Sequence, residues 1–133
     1  MAQSTQSTTT SQTPMFFKFT QFTSSEAIEQ INLLTDNFDP KYGISTEFRQ
    51  TLVDNINSQP TLLQGFLYAP SDSDVTRQVI GKGGCYFHMT TQNCNIHFIW
   101  HDRNTNRFLF WGDKYPLIHA MKIIHSRILK YSN

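Results

Sequence analysis

Three glycines crowd into the stretch Val79-Ile80-Gly81-Lys82-Gly83-Gly84, with one lysine among them. Glycine lacks a Cβ, so such a run ends a helix and lets another backbone come directly against the peptide. A phosphodiester chain can lie on a loop of this kind, with Lys82 beside its charge. Taken alone the pattern is weak, because short glycine patterns are common in ordinary turns. A second group of residues offers different chemistry. Cys85-x-x-His88 and Cys94-x-x-His97, with His101 close behind, are residue types that hold zinc tetrahedrally. The five residues between the two pairs are few for a zinc finger, and reduced thiols are the simpler expectation, with no metal and no cofactor. The five histidines could also serve as bases and either cysteine as a nucleophile. No orienting group stands at a recognisable spacing from any of them, so the chain is not expected to be an enzyme.

These residues need elements to position them. Leu62–Tyr68 reads as a strand, and Pro70-Ser71-Asp72-Ser73-Asp74 as a turn. Ser73 or Asp74 then caps a short helix, Val75–Ile80, that feeds the glycine loop. Beyond the loop, Phe87 to Asn93 forms a short segment. Its start, Cys85–Thr91, has poor helix propensity and also fits a strand, in which case the glycines would merely approach a hairpin. Ile96, Phe98 and Trp100 alternate as in a half-buried strand, and His101–Asn106 is polar and turn-forming. Arg107–Gly112 is apolar, aromatic and ends on glycine, as a further strand would. Pro116–Tyr131 is a helix whose Leu117, Ala120, Met121, Ile124 and Ile128 make one apolar stripe.

The order of glycine loop, short segment, strand, variable loop, strand and helix resembles the type I KH domain, a single-stranded nucleic-acid-binding family. Val79-Ile80-Gly81-Lys82-Gly83-Gly84 is similar to that family's V-I-G-x-x-G motif, and Phe108–Gly112 to its closing strand. Phe87 falls at the first apolar position of the helix after the loop, and Phe98 and Trp100 on its central strand. Two departures stand out: Thr90 where an apolar residue is usual, and Cys94-Asn95 in place of a Thr-Gly pair. The resemblance covers roughly the C-terminal half. It implies an α+β fold with a three-stranded antiparallel sheet packed on helices in the order βααββα over residues 61–133. It also implies a groove in which Gly81, Lys82, Gly83 and Gly84 clamp about four nucleotides. Val79, Ile80 and Phe87 are candidates for the floor of that groove, and Arg103 and Arg107 for contacts to bases or phosphates.

Composition and charge set the limits around this reading. A hydrophobic fraction of 38% with 11 phenylalanines is enough for a packed core in 133 residues. Without a membrane-length apolar run or a signal-like start, an intracellular, cytoplasmic protein that does not engage membranes is expected. A net charge of +1 hides an asymmetry, because residues 1–69 have three basic against six acidic side chains. Residues 70–133 have eight basic against four acidic, and all five histidines. The basic half is thus the half with the glycine loop, as single-stranded RNA or DNA would require, RNA being favoured.

The N-terminal part lies outside the resemblance. Residues 1–14 are almost wholly Ser, Thr and Gln, which predicts a disordered tail. Residues 15–60 begin with Met15–Phe22, either an added edge strand or an anchor on the domain. A capping box at Thr23-x-x-Glu26 opens a helix to about Thr35, with Ile28, Ile31 and Leu33 or Leu34 on its apolar side. After a turn at Asp39–Gly43, Ser45 caps a second helix to about Asn57, with Phe48, Leu52 and Ile56 on one face. This helical extension supports the domain or, on the alternative reading, binds a protein partner or a second copy of the chain.

Overall fold

The protein is described over residues 17–36 and 44–132 by a computed structural model. The Ser/Thr/Gln tail of residues 1–14, Met15 and Phe16, and the Asp39–Gly43 turn lie outside the described residues. The fold is α+β. Strand β1 (Thr20–Thr23) leads into helices α1 (Ser24–Asp36) and α2 (Thr46–Asn57). Strand β2 (Thr61–Tyr68), helix α3 (Ser73–Ile80), a 3-10 turn at Lys82–Gly84 and helix α4 (Cys85–Cys94) follow. Strands β3 (Phe98–Asp102) and β4 (Arg107–Gly112) and helix α5 (Lys114–Tyr131) complete the chain. From residue 61 the order is therefore strand, helix, helix, strand, strand, helix.

Among the described residues the sheet has four antiparallel strands in the order β1-β2-β4-β3: the three expected over residues 61–133, and β1 added at the edge beside β2. The described part of the Met15–Phe22 segment is both anchor and strand: Phe17 and Phe19 pack on the core, and Thr20–Thr23 pairs with β2 as β1. The strand holding Phe98 and Trp100 is at the edge of the sheet among the described residues, not at its centre. Hydrogen bonding places β4 centrally, and four consecutive residues of it, Phe108, Leu109, Phe110 and Trp111, are buried. An apolar run with no polar alternation is the mark of a strand covered on both faces.

Both faces are in fact covered. Phe108 and Phe110 join Val79, Phe87, Cys94 and the α5 stripe of Leu117, Ala120, Met121 and Ile124 in a core beneath α3, α4 and α5. Leu109, Trp111 and Phe98 join Ala27, Ile31, Leu52 and Ile56 in a second core beneath α1 and α2. Ile96 and Phe98, expected to share a strand face, are divided between the two: Ile96 precedes β3 and belongs to the first core. Gly65 lets α5 pack closely on the sheet: a Cβ there would lie 2.8 Å from Met121 Sδ and 3.1 Å from a Phe19 ring carbon, so those side chains would have to shift.

Local signals account for the helix ends. Thr23 N donates to Glu26 Oε1 (2.9 Å) and Glu26 N to Thr23 Oγ1 (3.2 Å), a reciprocal capping box that lowers the pKa of the Glu26 carboxyl. Ser45 Oγ accepts from Phe48 N at 3.1 Å to start α2. Helix α3 is capped not by Ser73 or Asp74, as expected, but by Asp72, its carboxylate accepting from Asp74 N at 2.8 Å. The ambiguous segment Cys85–Thr91 is helical. Its Phe87, Thr90 and Cys94 fall at helical spacing on the core, and the Thr90 and Thr91 hydroxyls donate to the carbonyls of Tyr86 and Phe87 at 2.8 and 2.7 Å. The two departures noted above are thereby explained: a hydroxyl satisfied within its own helix can be buried, and Asn95 takes the left-handed conformation (φ 63°) that closes α4 in place of a glycine. Among the described residues no helix is long and apolar enough to cross a membrane.

Candidate functional site

The glycine loop sits between the C-terminus of α3 and the N-terminus of α4. Gly81 (φ 84°, ψ 160°) has a conformation open essentially to glycine alone, and a Cβ there would meet Tyr86 Cδ2 at 2.5 Å and Cys85 Sγ at 2.7 Å. Gly83 also has positive φ (63°), but a Cβ on it would find nothing within 4 Å. The loop tip is thus open, with its upstream hinge tightly packed. Gly84 N donates to Gly81 O at 3.0 Å, and no side chain caps the start of α4. The partial positive charge of that helix end is left beside Lys82, which is exposed.

Arg127 of α5 braces the two helices. Its guanidinium donates to the carbonyls of Gln78 (2.8 Å) and Val79 (3.3 Å) at the end of α3 and stacks 3.5 Å from the ring centroid of Tyr86 in α4. The α3 carbonyls gain the cation that a helix C-terminus favours. Sequence reading gave Arg127 no role, since nothing in the spacing brings residues 78, 86 and 127 together.

Beside the loop runs a groove of about 460 Å³. One wall is Arg77 and Ile80 of α3, Gly81–Gly84, and Phe87, His88 and Thr91 of α4. The other is edge strand β3 with Phe98, Ile99, Trp100 and His101, continued by Arg103 in the following loop. Ile44 and Phe48, at the start of α2, also line it. Three cationic side chains, Arg77, Lys82 and Arg103, are among the described lining residues, and no carboxylate is. Arg77 is itself paired with the exposed Asp74 carboxylate.

Of the residues singled out from sequence, Ile80, Gly81, Lys82, Gly83, Gly84 and Arg103 meet at this groove. Phe87 reaches its lining but is 94% buried and packs edge-to-face on Phe108, centroids 5.1 Å apart, so it is chiefly core. Val79 is fully buried in the core and supplies no accessible floor. Arg107 is not a described lining residue: it lies 4.7 Å over the Phe66 ring, its Nε donating to Thr105 Oγ1 at 3.0 Å. The sequence reading missed Arg77, Ile44 and Phe48 as groove residues and had weighed His88 and His101 only as metal ligands or bases. Helical spacing from Ser45 marked Phe48 as apolar, but not which face of the sheet it would reach.

The histidines and cysteines are dispersed by the fold. Cys94 is buried, which raises its thiol pKa, whereas Cys85 is exposed; both are free thiols. His97 pairs with Gln59 Oε1 at 2.8 Å, and burial lowers its pKa, opposed by Asp113. His101 pairs with Asn106 Oδ1 at 2.9 Å, and burial is again the main cause of a lowered pKa. Among the described residues no three His, Cys, Asp or Glu side chains gather as a metal site. Comparison with protein-family models, with curated proteins and with solved structures gives no match.

Proposed function

We propose that the protein binds single-stranded nucleic acid, RNA in preference to DNA, without catalysis, by clamping the backbone on Gly81–Gly84 in a type I KH-like unit spanning residues 61–133. The observation that carries this reading is the groove itself: an open glycine tip, an uncapped helix N-terminus and three cations along one cleft, with no carboxylate among its described lining residues. The βααββα order from residue 61 supports the KH-like assignment. Two free thiols accord with a reducing, intracellular and cytoplasmic setting. On this reading α1 and α2 are a scaffold added to the unit, since their buried residues Ala27, Ile31, Leu52 and Ile56 face the sheet. Protein binding through these helices is the alternative.

Titration of labelled RNA and DNA homopolymers at two salt concentrations tests the proposal. Binding to single strands that weakens with salt, and is tighter for RNA, is the expected result. Absence of binding to either polymer at low salt overturns it in favour of a protein partner.

A further inference from the structure

The groove is not built by residues 61–133 alone. Phe48, from α2 on the opposite face of the sheet, meets His88 of α4 edge-on at 5.7 Å and Phe98 of β3 at 5.9 Å. Trp100 stacks on Phe98, with centroids 5.8 Å apart and an interplanar angle of 24°. Four rings from three elements therefore form one aromatic surface around the edge strand. Phe98 is buried within it, whereas Phe48 and Trp100 are half-buried and His88 is exposed. Phe48 and Trp100 pack against the second core with part of their surface left open. Here they border the cleft that holds Lys82 and Arg103. A nucleobase has a flat π-face that stacks on such rings, while its backbone seeks the cations.

We propose that Phe48, His88 and Trp100 form a stacking subsite for an unstacked nucleobase of the strand whose backbone lies on the glycine loop. The inference rests on the nucleic-acid reading of the groove. It makes the helical extension part of the binding site as well as a support. It also favours single strands over duplex, whose bases are already stacked and paired.

The test uses the full chain with two labelled single strands, identical except that one has abasic positions in place of bases. Fluorescence anisotropy of the parent should show the base-bearing strand bound about tenfold more tightly than the abasic one. Phe48→Leu keeps an apolar side chain but removes the ring; it should lose most of that ratio while binding the abasic strand as the parent does. Phe48→Tyr should restore the ratio. His88→Ala alters an exposed residue, so folding is not at stake, and should reduce the ratio several-fold. A parent-like ratio in folded Phe48→Leu, or in His88→Ala, overturns the subsite. A parent that binds both strands equally also overturns it, while leaving the glycine clamp standing if changes at Lys82 and Gly83 still abolish binding. A parent that binds neither strand removes the groove reading as a whole.

Discussion

The replacement of Lys82 and Gly83 together by aspartate separates binding from folding more cleanly than any other change in the loop. Lys82 is exposed, and a side chain at Gly83 has no atom within 4 Å to displace. The remaining cost is conformational, because Gly83 has φ 63° and ψ 18°, and an L-residue there loses about 1 kcal/mol, aspartate being among the better tolerated. The effect on binding is larger. At about 4 Å two unit charges interact by about 1 kcal/mol in bulk water and about 4 kcal/mol at an effective dielectric of 20. Exchanging attraction for repulsion at Lys82 therefore costs about 2 kcal/mol even at the weaker limit, and the second carboxylate about 1 kcal/mol more. The sum corresponds to roughly a hundredfold rise in Kd. Lys82→Ala alone should weaken binding alike across sequences and flatten the plot of log K against log salt by about one unit. Anisotropy with labelled oligonucleotides measures the affinity, and circular dichroism checks the fold. A folded double variant that binds as tightly as the parent would falsify the clamp. The same experiment at Gly81 would be uninformative, since a Cβ there collides with Tyr86 and disturbs the junction of α3 and α4.

Gly65→Val should destabilise the protein by about 2 kcal/mol through overpacking against Met121 and Phe19, read as a lower urea midpoint with an unchanged m-value. Arg127→Met keeps the aliphatic stem but loses two bonds to α3 carbonyls and the stack on Tyr86, so a loss of about 1 kcal/mol and roughly 4 °C in Tm is expected, with Lys only partly restoring it. His97 and His101 both have folded pKa values below the ordinary imidazole value of about 6.5, so the unfolded chain binds more protons in the window just below that pH. Their contribution to stability is complete above about pH 6.5 and is lost as pH falls toward the lower folded values. Urea unfolding between pH 7.5 and 5 should show this decline, and His97→Gln should reduce its slope.

Local signals were legible in the sequence wherever the deciding interaction lies within a few residues. The Thr23–Glu26 capping box, the Ser45 cap and the α5 stripe are all present at the expected positions. So is strand β4, whose residues Arg107–Gly112 agree with the expected span. Cys85–Thr91 was ambiguous because its own propensities conflict; burial of Phe87, Thr90 and Cys94 against the sheet decides for a helix. The three strands expected over residues 61–133 are present, whereas Met15–Phe22 is open between edge strand and anchor in the sequence, because a short edge strand such as Thr20–Thr23 is defined by its pairing with β2, not by its composition.

The groove follows the same division. The Gly81–Gly84 loop and Lys82 could be named from residue types alone, because backbone freedom and charge are properties of the residues themselves. Val79 and Arg107 could not be sorted from Ile80 and Arg103 without the fold: side-chain direction turns on helix phase and strand register, and those sent Val79 into the core and Arg107 onto Phe66. Nor does any spacing in the chain bring Phe48 to His88 or Arg127 to Tyr86. Sequence by itself determined the segments and the chemistry each can offer. Tertiary packing on both faces of the sheet decided which side chains share one cleft, because contacts between residues forty apart depend on how layers stack and not on any local rule.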